Sequence, residues 1–140
     1  MELYQSKLNP LRLTIPEDLL QKIQSIIEEK NYCQCPYHIR GNSVWFLSTT
    51  DESELRLLTL GDISVTVSRV GFSHRRAGTM TEIISLLEQF CKEKGIKKLV
   101  VQSVETEEMA AFCKKFGYMP DPNCSLMLDD FVYGDYVKEF

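Results

Sequence analysis

The chain has 140 residues, 44% hydrophobic and 26% charged, which is a globular balance rather than that of a disordered or fibrous chain. A formal charge of −4 and a pI near 5.2 argue against a general nucleic-acid binder, so a polyanion would have to be met locally. Five cysteines make an odd count without the spacing of a disulfide framework, which predicts free thiols in a reducing cytoplasm. No apolar run reaches the roughly 18 residues of a membrane span and no leader pattern follows Met1, so a single cytoplasmic domain over residues 1–140 is expected, with no membrane partner.

Thr14-Ile15-Pro16-Glu17 reads as a helix start with Thr14 as cap, and Leu19, Leu20, Ile23, Ile26 and Ile27 recur at helical spacing, predicting a helix over 16–30. Residues 31–42, with Pro36 and Gly41, read as a connection. Val44 to Ser48 and Leu55 to Leu60 read as strands about a turn at 49–53. After Gly61-Asp62, the residues Ile63, Val65 and Val67 alternate with polar neighbours, and the alternation fails at Arg69 and Val70. A period of two cannot put Val67 and Val70 on one face, which predicts a bulge or splay near Ser68 to Val70.

From Thr79 the apolar period becomes helical through Met80, Ile83, Ile84, Leu87 and Cys91, stopping at Gly95. Leu99-Val100-Val101 reads as a buried strand and Glu107 to Phe116 as a helix, with acids in its first turn, lysines in its last and Gly117 beyond. Strands are expected around Ser125 to Leu128 and Tyr136 to Phe140, turning about Tyr133-Gly134-Asp135. Strand, helix, strand, helix with short joints implies a parallel crossover on a mixed sheet whose earlier strands form an antiparallel meander.

Between the alternating strand and the helix at Thr79 lies Ser73-His74-Arg75-Arg76-Ala77-Gly78-Thr79-Met80. A glycine at a helix start lets backbone N–H groups approach an anion, and two arginines add charge, so the loop is suited to phosphates. The segment resembles the cofactor-binding core of the GNAT family of N-acetyltransferases, whose signature is Gln or Arg, two residues, Gly, one residue, then Gly or Ala. Arg75 and Gly78 match it; Met80 replaces the small residue. Val70-Gly71-Phe72 sits where the family's strand pairs with pantetheine, and Phe112 to Tyr118 resembles a later family motif.

The resemblance implies an α/β (α+β) fold with a mixed, mostly antiparallel central sheet, a V-shaped splay between its two central parallel strands, and helices on both faces. It also implies acyl transfer from acetyl-CoA to an amine by direct attack in a ternary complex, with no metal and no nucleic acid. Val70, Gly71, Phe72, Arg75, Arg76, Ala77, Gly78, Thr79, Met80 and Thr81 would hold the donor. The acceptor is a small-molecule amine or an amine of a peptide or protein, and a homodimer through the C-terminal strands is an open alternative.

An alkyl amine with pKa near 10.4 is charged at pH 7 and losing its proton costs roughly 4–5 kcal/mol, so a base or a water relay helps. Glu105, at the end of a parallel strand, is the first candidate, with Asp62, Asp121 and His74 as weaker ones. Where the family often has a general-acid Tyr this chain has Cys113, and a frequent family Asn is Thr106. Cys113 and Tyr118 are the candidate acids, with Tyr133 and Tyr136 as stand-ins. These departures leave a catalytically degenerate CoA-binding module as the alternative. Cys33, Cys35 and His38 fall short of the four ligands of a structural zinc site, and Tyr37 and Trp45 are candidates for an aromatic acceptor wall.

Overall fold

A computed structural model describes residues 8–128 and 130–140 of the chain. Its elements in order are α1 (Glu17–Asn31), β1 (Tyr37–Arg40), β2 (Ser43–Leu47), β3 (Glu54–Leu60), β4 (Ser64–Gly71), α2 (Thr79–Lys94), β5 (Lys98–Val104), α3 (Glu107–Lys115), β6 (Met119–Leu128) and β7 (Phe131–Glu139). The strands form one seven-stranded sheet in the order β1-β2-β3-β4-β5-β7-β6. Every neighbouring pair is antiparallel except β4 and β5, the pair bridged by α2.

The period of two decides which side chains meet the helices. Val44 and Phe46, Leu55, Leu57 and Thr59, Val65 and Val67, Leu99 and Val101, and Tyr136 share one face and are buried there. The stripes of α1 (Leu20, Ile23, Ile27) and α2 (Ile83, Ile84, Leu87) close over them, and each such aliphatic side chain gains about 1.5–3 kcal/mol by leaving water. Ala110 and Cys113 of α3 join the same cluster. Lys138, register partner of Leu99, reaches both Glu88 of α2 and the carbonyl of Phe116 after α3, which fixes both helices over that face. The expected helices on both faces are therefore found over one. The other face bears Trp45, Leu58, Thr66 and Val100, and no described helix packs on it.

The expected irregularity in the fourth strand is present and has a definite form. Arg56 pairs with Arg69 and Leu57 with Val67, so Ser68 is an extra residue that lets Val67 and Val70 share the core side. The parallel pairing runs only from Ser64 opposite Lys98 to Val67 opposite Val101. Beyond it β4 and β5 part, and this is the splay.

Thr14 does not cap α1: Pro16 holds the N-cap position, and the Thr14 amide is drawn to the sheet by the Thr59 hydroxyl, 3.1 Å away. Residues 37–40, expected as a connection, form edge strand β1, whose exposed pattern hides the strand period. Tyr133-Gly134-Asp135 is not a turn but lies inside β7. Gly134 is required there because the backbone of β6 presses on it: a Cβ would run into the Cys124 carbonyl oxygen, at a φ of +114°.

Candidate active site

The splay opens a groove of about 540 Å³. Glu54, Ser68, Arg69 and Val70 line one side, and Val101 to Thr106 with Met109 line the other. Glu54 on β3 accepts a 2.6 Å charge-assisted hydrogen bond from Arg69 Nε on β4, just past the bulge. Ser103 adopts a left-handed φ of +56°, and its amide is held by the Asp135 carboxylate at 2.9 Å, which turns the end of β5 away from β4. Thr106 then caps α3, its hydroxyl accepting from the Met109 amide at 3.2 Å. The residue that departs from the family's Asn thus has a structural task here.

Beyond Val70 the chain leaves β4 at Gly71, where an added Cβ would meet nothing within 4 Å, and runs through Phe72 into the arginine loop. Arg76 and Gly78 are both left-handed, at φ +65° and +82°. The turn delivers Gly78 as N-cap of α2 with no side chain capping the helix, so the amides of Thr79, Met80 and Thr81 have no intrahelical acceptor. Arg75 and Arg76 are exposed, and among the described residues neither forms an ion pair. Met80 is turned into the core, so the bulk that breaks the family pattern does not stand over the loop. A Cβ on Gly78 would enter the space at the helix start, 3.8 Å from Lys30 Nζ. Backbone and side chains here fit a phosphate group.

Several residues that set this loop gave no local sign in the sequence. Asn31, the buried last residue of α1, accepts from the His74 amide at 2.9 Å and donates to the Ile27 carbonyl at 2.9 Å and to Thr79 Oγ1 at 3.4 Å. Asp51, in the β2–β3 turn, accepts from Ser73 Oγ at 2.7 Å and from the Ser53 amide at 2.8 Å. Partial burial works to raise the Asp51 carboxyl, but the hydrogen bonds from Ser73, Ser53 and Ser48 outweigh it and hold it at about 2. Tyr32 packs edge-on against His74, ring centres 5.2 Å apart. Contacts spanning dozens of positions made this buttress, so no window of sequence could display it.

Of the candidate proton-transfer residues, Glu105 lines the groove and is exposed. Cys113 and Tyr118 are not brought there. Cys113 faces the core and burial pushes its thiol up to about 12. Tyr118 is sealed beneath α2, donating to Glu88 Oε2 at 2.8 Å, and burial followed by that bond raises its phenol far above the ordinary value. Glu88 also binds Lys138 at 3.0 Å, so Tyr118 belongs to a helix-to-sheet tie. Tyr136 is spent on the Val132 carbonyl. Tyr37 and Trp45 cannot form one wall, because Tyr37 pairs with Phe46 on the core side while Trp45 stands under Arg56 on the other. Cys35 is buried in the core and His38 exposed on β1; among the described residues no three His, Cys, Asp or Glu side chains are placed to hold a metal ion.

No family profile matches the chain, and no curated protein matches it in sequence. Solved structures do match. A probable GNAT-family acetyltransferase of Chromobacterium violaceum superposes with a TM-score of 0.51 at 14% identity, over 71% of this chain and 60% of that one. The present chain therefore spans about three-fifths of that protein's length. The IAA acetyltransferase of Bacillus cereus gives 0.51 at 11% identity, over 91% and 93% of the two chains. Escherichia coli ElaA gives 0.50 at 19% identity, over 90% and 93%. At such identities the likeness is one of fold, and the chain has the GNAT fold.

Proposed function

We propose that the chain is one acyl-CoA-dependent N-acyltransferase domain, taking acetyl-CoA as donor and an amine as acceptor. The observation that carries this reading is the splay. Two central parallel strands pair for four residues and then part over a groove, and the strand on one side of it runs directly into an uncapped helix N-terminus with two exposed arginines. The GNAT fold of the superposing structures supports it.

In this reading Arg75, Arg76, Ala77 and Gly78 with the amides of Thr79, Met80 and Thr81 hold the diphosphate, and Val70, Gly71 and Phe72 offer the open edge of β4 to the pantetheine amides. Bound acetyl-CoA would supply the activated acyl group as a thioester. Glu105, facing the groove, takes the proton from the acceptor ammonium, while the Glu54 carboxylate on the opposite wall is neutralised by Arg69. Glu105, which forms no ion pair among the described residues, leaves the groove with an uncompensated carboxylate that favours a cationic amine. Cys113 and Tyr118, lying away from the groove, are left out of the proton transfers. The odd cysteine count without the spacing of a disulfide framework supports a reducing compartment such as the cytoplasm.

The test is release of free CoA from acetyl-CoA by purified protein across a panel of small amines, peptide N-termini and lysine peptides. Acceptor-dependent thiol release is expected. Tight donor binding without release for any acceptor class would instead indicate a CoA-binding module.

A further inference from the structure

Forty-seven positions separate Lys30 from Ala77, yet the Lys30 ammonium donates to the Ala77 carbonyl at 2.9 Å. The same nitrogen lies 3.8 Å from Glu82 Oε1, in the first turn of α2, and its side chain is about 30% exposed. Lys30 is thus held at the start of α2, on the side that the missing Gly78 side chain leaves open. Its neighbour Asn31 bonds the amide of His74 and the hydroxyl of Thr79, so the last turn of α1 is tied to both ends of the arginine loop.

The charges at this point conflict. Glu82 favours the positive end of its own helix, but a diphosphate arriving at that end meets its negative charge. A lysine ammonium has three N–H donors. One serves Ala77 and one faces Glu82, which leaves one for a ligand oxygen.

We propose that Lys30 is the third cation of the diphosphate site, neutralising Glu82 and giving its remaining donor to a phosphate. The inference rests on the donor-binding role proposed above. Recognition of the acyl donor then depends on α1 as well as on the loop, and Glu82 tunes its strength.

Calorimetric titration of the full chain with CoA, at low and high salt, tests this with Lys30→Gln, Lys30→Arg, Glu82→Gln and the Lys30→Gln/Glu82→Gln pair. Glutamine is one bond shorter than lysine, so the salt dependence and the charge-keeping Lys30→Arg separate charge from buttressing. Lys30→Gln should weaken CoA about tenfold at low salt, with the difference shrinking at high salt, since partly exposed charges are screened. Lys30→Arg should stay within about threefold of the parent, and Glu82→Gln alone should tighten binding about two- to threefold. The pair should recover part of the loss, about the two- to threefold that Glu82→Gln gains alone, since the donor to the phosphate stays absent. CoA affinity within about twofold of the parent in Lys30→Gln at low salt, or no change in Glu82→Gln, overturns the proposal. A parent chain that binds no CoA at all removes the acyltransferase reading and this inference together, a result distinct from either.

Discussion

Replacing Asn31 by alanine tests the buttress under the arginine loop most sharply. The side chain makes two good hydrogen bonds, to the Ile27 carbonyl and from the His74 amide, and a long one to Thr79. At about 1 kcal/mol net for each good bond and about half that for the long one, the loss comes to roughly 2.5 kcal/mol. Alanine returns about 0.6 kcal/mol through its better helix propensity, leaving roughly 2 kcal/mol. For a chain of this length that is a fall of about 6–8 °C in Tm. Urea denaturation should show the midpoint falling with unchanged slope, and exchange of the His74 amide should accelerate beyond the global change. A stability loss under about 0.5 kcal/mol, with His74 exchange unaltered, would refute the reasoning that α1 sets the loop.

Glu105→Gln should lower the acetyl-transfer rate by about a hundredfold to ten-thousandfold while leaving acetyl-CoA affinity unchanged; an undiminished rate would remove Glu105 as proton acceptor. The hydrogen bonds to Asp51 stabilise the fold fully above the ordinary carboxyl range near 3.8, and that stabilisation is lost as pH falls through about 2. Asp51→Asn should therefore flatten the acid limb of the stability curve between those values, and an identical limb in both proteins would contradict the hydrogen-bonded state of Asp51. Gly134→Ala should destabilise by more than about 2 kcal/mol, because a Cβ must enter the Cys124 carbonyl at a left-handed φ; chemical denaturation with a change inside about 0.5 kcal/mol would show that β6 does not press on β7 there.

Patterns set by near neighbours were legible in the chain. The failed alternation at Arg69 and Val70 marked the bulge at Ser68, and the helical stripe from Met80 to Cys91 marked α2, because both are periods of burial. Where a residue answers to something distant, its local meaning misled. Gly134 looked like a turn glycine and is a close-approach glycine, and Thr14 looked like a cap and is held by Thr59. Cys113 and Tyr118 occupy suggestive positions in the sequence, yet the amphipathic face of α3 turns Cys113 inward and Glu88 captures Tyr118. The cradle of the loop, made by Lys30, Asn31 and Asp51, has no motif because its contacts cross from one element to another.

The loop from Arg75 to Thr81 and the splay beside it are together the proposed acyl-CoA site. Calorimetric titration with acetyl-CoA tests it most directly, comparing the parent chain with Gly78→Val. Gly78 sits at φ +82°, where a β-branched residue is strained by roughly 1–2 kcal/mol and would fill the space at the start of α2. Saturable one-to-one binding by the parent chain, lost in a folded Gly78→Val variant, is the predicted result. No binding by the parent at high micromolar ligand, or equal binding by both, would contradict it.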